Sequence, residues 1–209
     1  MNVTEKIGAH KLVPVIKLND AGNATPLARA LEAGGLPLAE ITFRTDAAEQ
    51  SIKNVKRDCP GVLLGAGTVT KVEQARRALD AGAAFVVMPG VSDSVIEFCL
   101  KEGVAVFAGV CTPSEIMRVL EYGIDVVKFF PAGQYGGMST IKALSAPFPN
   151  VRFVPTGGIS EKNVMEYLSF PKVLACGGSW MVPEKAIDAG NFEEIENLVS
   201  RAVKLVCGA

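Results

Sequence analysis

The sequence predicts an α/β chain folded as a single (β/α)8 TIM barrel, and three observations carry the prediction. A helical stretch that ends at a glycine and runs into an apolar strand recurs in "LEAGGLPLAEITF", "ALDAGAAFVVMPG", "CLKEGVAVFAG" and "LEYGIDVVKFF". Gly82, Gly103 and Gly123 repeat this unit at a spacing near 20 residues. Glycine suits the left-handed position just past a helix, and an unbroken apolar strand suits a parallel sheet covered on both faces. Finally, eight such apolar segments fit into 209 residues, enough for one sizeable core and a single barrel domain over 1–209.

Taken in order, the strands fall at Leu12 to Leu18, Leu38 to Phe43, Val62 to Ala66, Phe85 to Met88, Ala105 to Ala108, Val126 to Phe130, Val151 to Pro155 and Val173 to Cys176. Each is a short run rich in Val, Ile, Leu or Phe between turn-forming residues. Helix starts agree with that phase. Thr70 with Glu73 and Thr112 with Glu115 read as capping boxes, and Pro26 and Pro113 each follow a threonine as a first helical residue. A doubly wound open sheet is the runner-up, and the strand count argues against it. In a parallel barrel the active site lies at the C-terminal ends of the strands.

The charge balance, 21 Lys+Arg against 22 Asp+Glu with no basic run, excludes a nucleic-acid or anionic-membrane surface. Partners are then small molecules or further copies of the chain. Near the N-terminus only Leu12 to Ile16 form a continuous apolar run, too short for a signal-peptide core, and no run elsewhere reaches membrane-spanning length. The expected location is cytoplasmic. The five scattered cysteines, Cys59, Cys99, Cys111, Cys176 and Cys207, read as buried thiols of a reducing compartment. The one histidine, His10, reads as a surface residue, and no Cys/His/Asp cluster has metal-ligand spacing. "GAGTV" lacks the full glycine fingerprint of a nicotinamide site, so neither metal nor cofactor is expected.

Chemistry is concentrated at the predicted strand ends. In "GIDVVKFFPAGQYGG" a lysine, Lys128, sits within an apolar strand, where an unpaired ammonium is expensive to bury. Side chains alternate along a strand, so Val126, Lys128 and Phe130 share one face, as do Glu40, Thr42 and Arg44 in "LAEITFRT". If both faces point inward, an acid, a base and an arginine meet at the mouth of the barrel; a buried structural ion pair between Lys128 and Glu40 is the competing reading. Polar loops follow the strands: "GAGTV" around Thr68, "PTGGIS" from Pro155 to Ser160, and "CGGSW" from Cys176 to Trp180. The last two follow the seventh and eighth strands, where Gly157, Gly158, Gly178 and Ser179 would form a phosphate cup.

"EITFRT", "GAGTV", "MPG", "TPSE", "VKFFPA", "PFPNVRFVPTGGIS" and "GGSWMVP" occur in the order and approximate spacing of the bacterial 2-keto-3-deoxy-6-phosphogluconate (KDPG) aldolases, which also act on 4-hydroxy-2-oxoglutarate. The resemblance spans nearly the whole chain. It implies a class I, metal-independent aldolase, usually a homotrimer, that cleaves a 2-oxo sugar acid to pyruvate and an aldehyde. By motif, Lys128 resembles the Schiff-base lysine and Glu40 the general acid/base. Arg44 and Thr68 resemble the contacts of the pyruvate carboxylate, and Gly157, Gly158 and Ser179 the phosphate ligands. Pro89, Phe130 and Thr156 line the implied pocket. Lys17 departs from the pattern, since some relatives carry arginine there, and the resemblance gives it no role. Burial of Lys128 among Val127, Phe129 and Phe130, or a nearby cation such as Arg44, would disfavour the ammonium and expose a nucleophilic amine. Two alternatives stand: an aldolase for the 6-phosphogalactonate epimer, and a non-catalytic phosphate-binding barrel.

Overall fold

Strands and helices alternate throughout residues 1–208, which the computed structural model describes. In chain order they are α1 (Val3–His10), β1 (Leu12–Ile16), a 3₁₀ turn (Ala21–Asn23), α2 (Ala24–Ala33), β2 (Leu38–Thr42), α3 (Ala48–Asp58), β3 (Leu63–Gly67), α4 (Val72–Asp80), β4 (Phe85–Val87) and α5 (Asp93–Lys101). There follow β5 (Ala105–Phe107), β6 (Gly109–Val110), α6 (Pro113–Leu120), β7 (Val126–Phe129), α7 (Gly137–Ser145), β8 (Arg152–Pro155), α8 (Val164–Leu168), β9 (Cys176–Gly178), α9 (Glu184–Asp188) and α10 (Phe192–Cys207). Among the described residues, no helix is long and apolar enough to cross a membrane.

All strand pairs are parallel, in a six-stranded sheet of order β5-β4-β3-β2-β1-β9 and a three-stranded sheet of order β6-β7-β8. Within each sheet successive strands lie side by side, and the last strand, β9, lies beside the first, so the strand order lacks the reversal of a doubly wound sheet. The expected unbroken ladder is nevertheless interrupted twice. The predicted strand at Ala105 to Ala108 ends at Phe107, and past Ala108 a second short strand, β6, begins at Gly109, where a Cβ would stand 2.3 Å from the backbone of Pro89. Such a close approach of two backbones admits only glycine. Between β8 and β9 there are two isolated bridges, Phe153↔Val173 and Thr156↔Gly177, in place of a ladder.

Local signals that depend on neighbouring residues hold. Gly82, Gly103 and Gly123 all have positive φ, and Thr112 with Glu115 forms a reciprocal capping box with Pro113 in the first turn of α6. Other boundaries move. Helix α4 starts at Val72, which puts Gln74 rather than Glu73 in reach, and Thr70 bonds Gln74 through N–H and Oγ1 at 2.8 and 3.1 Å. Helix α2 starts at Ala24, so Pro26 is its third residue, still within the turn that tolerates proline. Helix α1 precedes the first expected element, and Asn2 and Glu5 form its capping box. His10, in the last turn of α1, is half-buried rather than on the surface, and burial pushes its imidazole pKa down. Cys59, Cys99 and Cys176 are buried as expected, while Cys111 is half-buried and Cys207 exposed.

At their N-terminal ends the strands are closed by apolar side chains. Ile7, the buried residue of α1, meets Val13, Phe85 and Phe107, and the two phenylalanine rings pack edge to face at 5.8 Å. Above this floor, on the inner face, stand Glu40, Lys128 and Thr156. Val127 and Phe129, on the other face of β7, have no exposed surface.

Candidate active site

At the C-terminal ends of the strands lies a cavity of about 320 Å³, within the size of small-molecule clefts. Strand β7 and its extension bring Lys128 and Phe130 to it. The turn after β2 supplies Arg44, the ends of β3 and β4 supply Thr68 and Pro89, β8 supplies Thr156, Gly157 and Gly158, and β9 supplies Gly178 and Ser179. These are the residues expected from the sequence, with one displaced. Glu40 does not line this cavity. It lies one layer deeper, paired in register with Val15 of β1 and Gly65 of β3, while Thr42 takes the next inward position of β2 and reaches the cavity wall.

Lys128 Nζ donates to Glu40 Oε1 at 3.5 Å, and the two side chains are 6% and 3% exposed. Both charges are thus withdrawn from water, each the other's partner. The Nζ also lies 5.0 Å from the centroid of the Phe130 ring, in cation–π range. Space for Glu40 comes from Gly67, where a Cβ would stand 2.3 Å from Oε1. Gly177 makes room for Thr156 in the same way, at 2.3 Å from Oγ1. The last strand is offset from the expected one: in place of Val173 to Cys176, Cys176–Gly178 pairs in register with Leu12 to Pro14 of β1, so the glycines of "CGGSW" are strand and only Ser179 and Trp180 lie beyond it.

Arg44 is exposed and lies two residues beyond the end of β2. Its Nε donates to Thr42 Oγ1 at 3.0 Å. Thr68 has a φ of 55°, a left-handed conformation that costs a β-branched residue on the order of 1–3 kcal/mol and is concentrated at functional sites. Gly157 and Gly158 also have positive φ, at 93° and 78°. Asn163 pins this loop by donating to the Gly158 carbonyl at 2.9 Å and accepting from the Ser160 N–H at 2.8 Å, a brace not foreseen from the sequence. Lys17 is engaged at the rim by Glu184, whose carboxyl is held below its ordinary pKa first by that hydrogen bond and then by Asn19. Among the described residues no three His, Cys, Asp or Glu side chains gather at one point.

Residues 3–198 match the family model described as KDPG and KHG aldolase. The chain is 47% identical over 206 residues to a 2-dehydro-3-deoxy-phosphogluconate aldolase of Treponema pallidum, covering 99% of this chain and 98% of that one. It is 39% identical over 193 residues to the KHG/KDPG aldolase of Escherichia coli K12, covering 92% and 91%. The structure of a KDPG aldolase from Legionella pneumophila, with pyruvate captured at low pH as a covalent carbinolamine intermediate, superposes with a TM-score of 0.92 at 39% identity, covering 96% and 98%. With a motif-lined cavity at its strand ends and a match over nearly its full length, the chain belongs to the KDPG and KHG aldolase family.

Proposed function

We propose that this chain is a class I aldolase that cleaves 2-dehydro-3-deoxy-6-phosphogluconate to pyruvate and glyceraldehyde 3-phosphate, and 4-hydroxy-2-oxoglutarate to pyruvate and glyoxylate. The observation that carries the reading is the buried contact of Lys128 Nζ with Glu40 Oε1 beneath the cavity. The names of the relatives support it, and so does the carbinolamine of the Legionella enzyme, the adduct an amine forms with the carbonyl of pyruvate.

In this mechanism Glu40 takes a proton from Lys128, and the neutral amine attacks C2 of the substrate. Glu40 returns that proton to the C2 oxygen, which leaves as water, so that a protonated imine and an ionised Glu40 remain. When the C3–C4 bond breaks, its electron pair flows to the imine nitrogen while the C4 hydroxyl proton passes through water to Glu40. The aldehyde departs and leaves the enamine of pyruvate. Glu40 returns a proton to C3, again through water, and hydrolysis of the imine releases pyruvate and restores Lys128. Arg44 and Thr68 hold the C1 carboxylate so that C2 stays aligned with the amine. The N–H groups of Gly157 and Gly158 and the hydroxyl of Ser179 take the phosphate, and Pro89, Phe130 and Thr156 form the walls.

The same reading treats the two sheets as one closed (β/α)8 barrel domain over 1–209. The place of β9 beside β1 and the bridges from β8 to β9 support it. A homotrimer and a cytoplasmic location are part of the proposal, the first on the family resemblance and the second on the scattered, unpaired cysteines. The test is pyruvate release from 4-hydroxy-2-oxoglutarate and from both C4 epimers of the phosphorylated acid, with borohydride trapping. An adduct on Lys128 and preference for the gluconate epimer are expected. Preference for the galactonate epimer would reassign the substrate, and binding without cleavage would make the chain a phosphate-binding barrel.

A further inference from the structure

Thr42 is among the five buried polar or charged side chains, with Glu40, Ser51, Lys128 and Thr156, and the mechanism above gives it no task. Its hydroxyl is engaged both as donor and as acceptor. Oγ1 donates its only proton to the Ile16 carbonyl at the end of β1, at 2.8 Å, and so can meet Arg44 only as an acceptor, which it does from Nε at 3.0 Å. Threonine is stiff at χ1, and at 1% exposure this one has little room to turn. Nε of Arg44 is therefore tied to a fixed point of the strand framework. Nη1 and Nη2 donate to no protein acceptor among the described residues, which leaves the end-on edge of the fork for a planar carboxylate.

Resting on the aldolase reading, we propose that Thr42 is the positioning residue for carboxylate binding: it anchors an otherwise exposed arginine from below and presents Nη1 and Nη2 to the C1 carboxylate of the substrate. Neighbouring Thr45 supplies the internal control. Its hydroxyl donates to the Leu18 carbonyl and steadies the same turn without touching Arg44.

The experiment follows borohydride trapping of Lys128 as a function of pyruvate concentration. Thr42→Val should raise the half-saturating pyruvate concentration about 10- to 100-fold and leave the saturated trapping rate near that of the wild type. Thr42→Ser should restore binding, Thr45→Val should shift it much less, and Thr42→Val should add under about twofold in an Arg44→Ala background, as expected for residues acting as one unit. If Thr42→Val does not fold, Thr42→Ala carries the same comparison. An unchanged half-saturation in the hydroxyl-free variant, an equal shift in Thr45→Val, or full additivity with Arg44→Ala overturns the assignment. Failure to trap wild-type Lys128 at saturating pyruvate overturns the aldolase reading itself, and this one with it.

Discussion

At the N-terminal ends of the strands Ile7, Val13, Phe85 and Phe107 close around a void of about 20 Å³, whereas at the C-terminal ends the strands surround a cavity of about 320 Å³. The two ends share a construction device, a glycine on one strand that admits a side chain from its neighbour. At the floor Gly65 leaves space for the Phe85 ring, 2.1 Å from where a Cβ would stand. Nearer the mouth Gly67 does so for Glu40 and Gly177 for Thr156. What differs is the group admitted. An aromatic ring excludes water, while a carboxylate or hydroxyl must find a partner there. Lys128 and Thr156 border both spaces, so the proposed chemistry lies where the dry interior meets the accessible cavity.

Perturbing the boundary should have the largest effect. Lys128→Ala should abolish cleavage and borohydride trapping, since no other group replaces the imine nitrogen as electron sink. Residual turnover, or an adduct on another lysine, would break the assignment of the boundary as the reaction centre.

Glu40→Gln keeps the shape and removes the proton acceptor. Turnover should fall by about two to four orders of magnitude, while trapping of Lys128 slows but persists. Turnover close to that of the wild type would make Glu40 a buried counter-ion and move proton transfer up into the cavity.

At the floor, Phe85→Ala should cost stability by about 3–5 kcal/mol in denaturant unfolding, the range for deletion of a fully buried ring. Turnover of the folded variant should fall less than in Glu40→Gln. A stability loss below about 1 kcal/mol would mean that the floor relaxes around the gap and is not the rigid counterpart of the mouth.

Ser179→Ala tests the outer rim, where the smallest change is expected. It should lower kcat/KM for the phosphorylated acid by about 1.5–3 kcal/mol, the range for a hydrogen bond to a charged group, and leave 4-hydroxy-2-oxoglutarate almost unaffected. Equal losses on both substrates would show that Ser179 supports the reaction centre instead of a phosphate.

By itself the sequence determined the features that depend on a few adjacent residues: the apolar segments, the left-handed glycines Gly82, Gly103 and Gly123, and the capping box of Thr112 and Glu115. It also marked most of the cavity wall, because a charged or glycine-rich stretch after an apolar strand is locally conspicuous. Helix α1 was legible too, through Asn2 and Glu5, but a short segment with one buried residue has no periodicity to draw attention to it. Tertiary structure alone decided which atoms meet. Lys128 and Glu40 are 88 residues apart, and the depth of Glu40 below the cavity follows from the register of β2 between β1 and β3. The close approach of Gly109 to Pro89, the strand character of Gly177 and Gly178, and the pairing of Lys17 with Glu184 likewise depend on partners distant in the chain. Periodicity can report that a side chain faces inward. How far inward it sits, and against what, is set by neighbouring strands whose offset is fixed only when the core packs.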